Sequence, residues 1–369
     1  MIKDYGDPQN PIWVVMNAPY PKDAEQGWIL SGGYGFNFKK TWKLGGAPDP
    51  YITSANNDLS STFDSKRDFP LLLARINQYQ PKLIVSLGDE MTELLAPITV
   101  QKNKKASALA KWAGSLCTSP DVKYPHYVIG SYDPQFVSTN WAYHEIQGYI
   151  DFGRVRSEFE FIRHNGFINP LPIRTLITNP TYDALCDYLR FLLDSHTNGK
   201  LPYVSSDIET IRPKKNSYYH LLGHPGYLYT LSLAPSPKEA ISYCLWDYPK
   251  EQAFRIWSLT NEVLDKVPQI GQNYFTFDSH HLEAFGLRIC LARCSDTMVR
   301  HHILWPSLQH KLQFQTRQYT REPYYKDEGK VWSSRFKQPL MRYNCLDSCV
   351  TYEVWEAQEL EFNDRPYLR

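Results

Sequence analysis

The run Tyr203-Val204-Ser205-Ser206-Asp207-Ile208-Glu209 constrains this chain more than any other segment. It reads as a strand that ends on two carboxylates, Asp207 and Glu209, two residues apart. Side chains alternate along a strand, so both acids leave the same face, side by side. Adjacent carboxylates repel each other and raise at least one pKa unless a cation neutralises them. A hard divalent ion such as Mg²⁺ is the natural partner. A fold that accepts this segment must offer a cleft at the end of a buried strand.

Two later segments supply what such a cleft needs. Gly271-Gln272-Asn273 leads through Tyr274-Phe275-Thr276 into Phe277-Asp278, which reads as a helix start where Asp278 can face the same cleft. Tyr343 and Asp347 are four apart, on one face of a helix expected to begin near Pro339, with Thr351 a further turn along. Hydrolysis of a phosphodiester drives hydroxide into phosphorus in line with a departing 3′ oxygen. Two ions roughly 3.5–4 Å apart stabilise both oxygens. Four carboxylates neutralise such ions and leave positions open for water and phosphate, and a phenol at the rim orients the water.

The rest of the chain reads as α/β. Its 369 residues suggest two domains. Pro11–Asn17 is a short apolar strand broken by Ala18-Pro19, Ser65–Gln80 has helical spacing, and Pro81–Gly88 is a second buried strand. That alternation predicts a largely parallel sheet. Lys102–Lys111 reads as a solvated basic loop, Ser138–Asn165 as helical, and Gly166–Pro172 as a linker. A second unit opens with a strand over Ile173–Ile177 and a helix over Thr181–Leu193, with Thr181 as its N-cap. A net charge of +1 excludes whole-molecule attraction to nucleic acid and leaves only local basic patches. Aromatics, 14% of the chain, are mostly packing, with some rings free to stack on unpaired bases. Seven cysteines, an odd number, suit free thiols in a reducing compartment. No stretch has the length of a membrane span, and the N-terminus lacks a signal-peptide layout, so a soluble cytoplasmic protein is expected.

Asp207-Ile208-Glu209-Thr210, Asn273 to Phe277-Asp278, and Tyr343 to Asp347 resemble, in that order, the exonuclease motifs of the DnaQ-like superfamily in its tyrosine-containing subclass. Residues 173–362 resemble the proofreading domain of family A DNA polymerases, phage enzymes above all. Asp296-Thr297-Met298 and the run from Leu308-Gln309-His310 to Glu322-Pro323-Tyr324-Tyr325-Lys326-Asp327 share that likeness. The resemblance implies an RNase H-like fold and a 3′→5′ DNA exonuclease using two divalent ions, Mg²⁺ or Mn²⁺. Asp207 would bridge both ions, Glu209 and Asp347 would complete the tighter site, and Asp278 would serve the second. Tyr343 would hold the nucleophilic water. The substrate would be DNA with a single-stranded or mismatched 3′ end. Asn273, Phe277, Thr210, Lys214 and Lys215 are candidates to hold it, as are Arg293, Arg300 and Lys311. The chain stops at Arg369 without length for polymerase palm and fingers. The implied partner is therefore a DNA polymerase on a separate chain, unless the sequence is a fragment.

The N-terminal half carries a second resemblance. Ala18-Pro19-Tyr20, Glu25-Gln26-Gly27, Gly32 and Gly35, the strand Tyr51-Ile52-Thr53, Pro81–Gly88 and Gly130-Ser131-Tyr132-Asp133-Pro134 resemble the uracil-DNA glycosylase superfamily, its fourth family in particular. The catalytic positions depart from it. Asn17 replaces a Glu, Ala18 a water-activating Asp, and Ser54 the base-reading Asn. Asp133 replaces a His, and an acid there would repel the anion that develops on uracil. Residues 1–166 are therefore expected to form a three-layer α/β glycosylase-like domain without catalysis, and residues 167–369 the exonuclease. Asn17 and Tyr20 leave room for a base pocket. Two alternatives stay open: a bifunctional glycosylase/exonuclease of base repair, and a non-catalytic DNA-binding polymerase accessory. Cys290/Cys294, Cys345/Cys349, His280-His281 and His301-His302 lack the spacing of zinc ribbons or fingers. Gly32-Gly33-Tyr34-Gly35 lacks the Lys-Ser/Thr of a phosphate loop.

Overall fold

The computed structural model describes residues 1–97, 107–140, 142–211, 226–330, 333 and 336–365. Contacts divide the chain into two compact units: Met1–Leu171 with Arg321–Tyr324, and Pro172–Thr320 with Tyr325–Arg369.

The first unit is built on β1 (Ile12–Met16), β2 (Tyr51–Ser54), β3 (Leu83–Leu87), β4 (Leu116–Cys117) and β5 (Tyr127–Ser131), in the sheet order β2-β1-β3-β5-β4. All pairings are parallel except the short edge strand β4. Every residue of β1, β3 and β5 is buried, because helices cover both faces of such a sheet. Val14 and Met16 pack with Phe38 and Trp42 of α1 (Gly33–Gly45), while Trp13 and Val15 pack with Leu72 and Ile76 of α2 (Ser65–Tyr79). Successive residues of one strand thus feed opposite cores, as the period of two requires. The helix α2 starts on Asp64, whose side chain accepts from the Lys66 amide, and stops at Gln80 in the left-handed region, φ 55°. Next come α3 (Asp89–Leu95), α4 (Pro134–Thr139), a π-helical stretch over Ile146–Phe152, and α5 (Gly153–Asn165). Residues 102–106, part of the expected basic loop, lie outside the described residues, and Leu109–Trp112 is a helical turn.

The second unit holds a six-stranded mixed sheet in the order β11-β10-β7-β8-β9-β6. Its strands are β6 (Thr175–Thr178), β7 (Val204–Ile211), β8 (Tyr227–Ser236), β9 (Glu239–Tyr243), β10 (Gln269–Gly271) and β11 (Ser295–Asp296). The strands β7, β8 and β9 pair antiparallel, while β6, β10 and β11 pair parallel with their neighbours. One core lies under α6 (Tyr182–Thr197) and α7 (Lys250–Lys266), where Leu185, Leu189 and Leu192 meet Ile256, Leu259 and Val263. Thr181 caps α6 by accepting from the Ala184 amide. Three shorter helices follow: α8 (Asp278–Ala284), α9 (Thr297–Leu304) and α10 (Leu312–Tyr319). Last comes α11 (Gln338–Asp364), a 27-residue helix about 40 Å long. Cys345 and Cys349 lie against Ala234 and Ala240 of the sheet, so small residues on both sides let α11 approach closely. These two thiols are packing groups.

No helix among the described residues is long and apolar enough to cross a membrane.

Candidate active site

Two elements bring the acids together. On β7, Asp207 lies opposite Ser232 and Glu209 opposite Thr230, and a bulge follows between Glu209 and Thr210. Ser232 meets α11 directly: its hydroxyl lies 2.9 Å from the Asn344 carbonyl and 2.5 Å from Ser348 Oγ. The face that carries Asp207 and Glu209 is therefore the face that α11 covers. From α11, Asp347 enters at 4% exposure. One carboxylate oxygen from each of Asp207, Glu209 and Asp347 lies within 4.8 Å of the others, and among the described residues this is the one such set of three metal-binding side chains. The donors are all hard carboxylate oxygens, which suit Mg²⁺ or Mn²⁺.

Asp278 opens α8 and is buried at 3% exposure, outside that set of three. Its Oδ1 accepts from the Ile208 amide at 3.2 Å, so it sits beside the strand between the other two acids. Asn344 holds Asp207 from the opposite side. Its Nδ2 donates to Asp207 Oδ2 at 2.7 Å and to the Asp207 carbonyl at 3.1 Å, and its Oδ1 accepts from Ser242.

The charge balance is unusual. Burial pushes the Asp207 and Asp278 carboxyls well above the ordinary range, and neighbouring acids add to it. For Asp207 the neighbours are Asp347, Asp278 and Glu209. Glu209 is pushed up to about 7, first by burial and then by the charge on Asp347. These acids hold their protons tightly unless a cation takes their place.

Among the described residues, Lys326 is the cation that meets these acids. Its Nζ donates to Asp347 Oδ1 at 2.6 Å and Oδ2 at 2.7 Å, and lies 3.1 Å from the Tyr343 hydroxyl. Tyr325 adds a hydrogen bond to Asp347 Oδ1 at 2.6 Å. Tyr343 stands one turn before Asp347 on α11, and burial raises its pKa, followed by the charges of Asp347, Glu209 and Asp207. Gly329 lies flat against its ring: a Cβ there would come within 2.7 Å of Tyr343 Cδ1.

The residues expected to hold a nucleic-acid end are scattered. Asn273 adopts φ 59° at the turn into α8, and its side chain accepts from Thr276. Its amide and that of Phe275 donate to Asp296, which also caps α9. Tyr274 is fully buried, while Phe275 and Phe277 border the core, with Phe277 packed on His281. Thr210 follows the bulge on β7, and Lys311 immediately precedes α10. Lys214 and Lys215 lie outside the described residues. Arg293 donates to the carbonyls of Asp265 and Lys266 and so caps the C-terminus of α7. Arg300 pairs with Glu359 at 2.5 Å and stacks on Phe362. Both already hold partners within the protein.

In the first unit most of the singled-out side chains find partners, while Asn17 Oδ1 is buried without one. The Tyr20 hydroxyl donates to Asp133 Oδ1 at 2.6 Å, and Asp133 also accepts from the Gln135 amide. Asn17 Nδ2 donates to Glu90 at 2.6 Å. Ser54 is buried, with its hydroxyl turned into the following loop toward the Asn56 carbonyl. The histidine doublet at 301–302 joins His310 in a chain of ring-to-ring hydrogen bonds at 2.7 and 3.0 Å, and His301 also bonds Gln318.

Sequence reasoning gave Asn344, Tyr325, Lys326 and Gly329 no role in the site. Asn344 lies inside a motif, where its neighbour Tyr343 drew the attention. The other three sit on or just after the run ending Tyr324-Tyr325-Lys326-Asp327, whose likeness to the polymerase domain assigned no role to a single residue.

No known family profile and no curated protein matches the sequence. Among solved structures, the chain is similar to the catalytic core of RRP6 from Trypanosoma brucei, at 15% identity over 54% of this chain and 52% of that one, with a TM-score of 0.39. It is similar to the Trypanosoma brucei RNase D:GMP complex at 12% identity over 53% of this chain and 63% of that one, TM-score 0.34. The POL domain of Pol1 from M. smegmatis, with DNA primer-template and dNTP, matches at 11% identity over 53% of this chain and 28% of that one, TM-score 0.36. The chain thus spans about half the length of the RRP6 core it matches.

Proposed function

We propose that the second unit, residues 167–369 by the sequence division, is a DnaQ-like, tyrosine-containing 3′→5′ DNA exonuclease. The observation that carries this reading is the convergence of Asp207, Glu209 and Asp347 within 4.8 Å. Asp278 lies against the same strand and Tyr343 one helical turn from Asp347.

Asp207, Glu209 and Asp347 would hold one divalent ion, and Asp278 with Asp207 a second. When bound, the pair stabilises the attacking and departing oxygens of an in-line displacement. The protein supplies the rest. Asn344 fixes the Asp207 carboxylate so that it needs no reorganisation. Tyr343 keeps its phenolic proton at any working pH and orients the attacking water through its hydroxyl. Water is consumed, a 5′-mononucleotide leaves, and a new 3′ hydroxyl remains on the shortened strand.

The substrate class is a 3′ DNA end, single-stranded or mismatched, and the role is proofreading beside a DNA polymerase on another chain. The first unit, residues 1–166, serves as a glycosylase-like scaffold without base excision, supported by the internal pairing of Tyr20 with Asp133 and Asn17 with Glu90.

The test uses 5′-labelled single-stranded and 3′-mismatched DNA, with RNA alongside, in Mg²⁺ and then in EDTA. Stepwise shortening from the 3′ end, lost in EDTA and in Asp207→Ala, is expected. Shortening that survives Asp207→Ala sinks the reading. Abasic sites in uracil-containing DNA would favour the bifunctional enzyme, and binding without cleavage the polymerase accessory.

A further inference from the structure

We propose that the Lys326 ammonium is the resident counter-ion of the acid cluster, and that an incoming divalent ion displaces it from Asp347 and frees the Tyr343 hydroxyl in the same movement. The inference rests on the metal reading above and concerns what the chain does before and during loading.

The geometry of Asp347 is the starting point. Both of its oxygens are taken by one nitrogen, at 2.6 and 2.7 Å, and Oδ1 accepts from Tyr325 as well. An ion held jointly with Asp207 and Glu209 needs an Asp347 oxygen at about 2.0–2.1 Å for Mg²⁺. A doubly charged ion and an ammonium would then share one carboxylate at close range, inside a part-buried cleft that screens them poorly. Lys326 has the means to yield: four rotatable side-chain bonds, and a side chain still 19% exposed, so a path to solvent exists. The ion has no such freedom, because its ligands come from a strand and a helix.

Tyr343 ties this exchange to the chemistry. The same Nζ lies 3.1 Å from its hydroxyl, so one departure releases both the ligand and the phenol that orients water. The phenol ring itself does not follow, since Gly329 is packed against it with no room for a Cβ. A rigid ring with a hydroxyl switched from an amine to a water couples metal loading to catalytic readiness. In the empty state the lysine does a second job: it keeps several like charges from driving β7 and α11 apart.

The test uses the full chain and Mn²⁺ alone, without DNA. Lysine amines are acylated in brief pulses and read by mass spectrometry. The expected result is at least a tenfold faster labelling of Lys326 in Mn²⁺ than in EDTA, with Lys330, paired to Asp327 on the surface, unchanged. Equal or slower labelling in Mn²⁺ overturns the proposal. Calorimetry provides the second arm. Lys326→Met should bind Mn²⁺ at least tenfold tighter than wild type, and its EDTA-treated form should melt at lower temperature. Weaker binding by Lys326→Met also overturns the proposal. Wild type that binds no Mn²⁺ would sink the metal reading itself, whereas binding without release of Lys326 would sink the displacement alone.

Discussion

The acid cluster of the second unit and the polar cleft of the first differ in one respect that decides how each is read. In the first, every singled-out donor finds an acceptor nearby: Tyr20 meets Asp133, and Asn17 meets Glu90. The Tyr34 ring closes on Tyr20 at 4.9 Å. In the second, the Lys326 ammonium bonds Asp347, and burial, with the charges of neighbouring acids added, raises the pKa of Asp207, Glu209 and Asp278. Acids buried this close either keep their protons or share a cation. Among the polar groups of the first, Asn17 Oδ1, buried without a hydrogen-bond partner, is the exception. The contrast therefore separates a cluster of acids suited to cations from polar groups that mostly pair with one another.

The largest expected break of that contrast is Asp207→Ala. It removes the acid that the other three surround, and the loss of about 4 kcal/mol of transition-state stabilisation corresponds to roughly a thousandfold drop in kcat. Fold and melting temperature should hold or rise, because a repulsive charge has gone. Single-turnover kinetics on 5′-labelled DNA and a melting curve check both halves together. A thousandfold loss accompanied by unfolding would mean that the acid is structural.

A smaller effect is expected one bond further out. Asn344→Ala leaves Asp207 Oδ2 and the Ser242 hydroxyl without their partner in a buried place. Unsatisfied buried groups cost about 1–3 kcal/mol. The variant should melt several degrees lower and lose roughly tenfold in kcat while KM stays near wild type. If KM rises instead and kcat is unchanged, Asn344 contacts DNA rather than orienting Asp207.

Much of this second unit was legible because simple periods place its acids. Two residues on a strand put Asp207 and Glu209 on one face, and four residues on a helix put Tyr343 above Asp347. Both periods hold whatever the rest of the chain does. Lys326 and Tyr325 obey neither. They reach Asp347 from 21 and 22 residues upstream, along a run without periodic spacing, so only tertiary packing brings them in. The same holds for Arg321–Tyr324, which pack with the first unit although they lie deep in the second half of the sequence. There Arg321 forks onto Glu158 at 2.6 and 2.9 Å. The partners of Arg293 and Arg300 were hidden for a related reason. A basic residue near an active-site motif reads as a phosphate contact, and nothing local reveals that a helix end or a distant glutamate already holds it.

The pH response sharpens the comparison with a smaller effect. Glu209 sits at about 7 against an ordinary 4.5, so the folded, metal-free protein holds that proton more tightly than the unfolded chain. Stability then carries no penalty below about 4.5, falls as pH rises through the window, and reaches its low plateau above about 7. Mg²⁺ binds the deprotonated form, so its affinity climbs over the same range. Melting curves at pH 5, 6, 7 and 8, with EDTA and with Mg²⁺, should show a gap that widens with pH. Glu209→Gln should narrow that widening, and a gap independent of pH would remove the carboxylate excess as its cause.

The smallest expected effect lies in the first unit, at Tyr20→Phe. The change deletes one hydrogen bond to a carboxylate, worth about 1.5–3 kcal/mol where it is well made. Asp133 keeps the Gln135 amide and its place at the start of α4, so the cost should fall at the low end and show as a modest drop in melting temperature. Exonuclease rate should stay within about twofold, because a hydrogen bond of this size spent inside one unit has no partner among the acids of the other. The informative outcome is the opposite one. If Tyr20→Phe exposes Asp133 and the protein gains affinity for a free base or for uracil-containing DNA, the cleft is shut by its own side chains and is a base pocket held closed. If binding is unchanged, the pairing is simply how this cleft is built, and the chemistry of the chain resides with the carboxylates on β7 and α11.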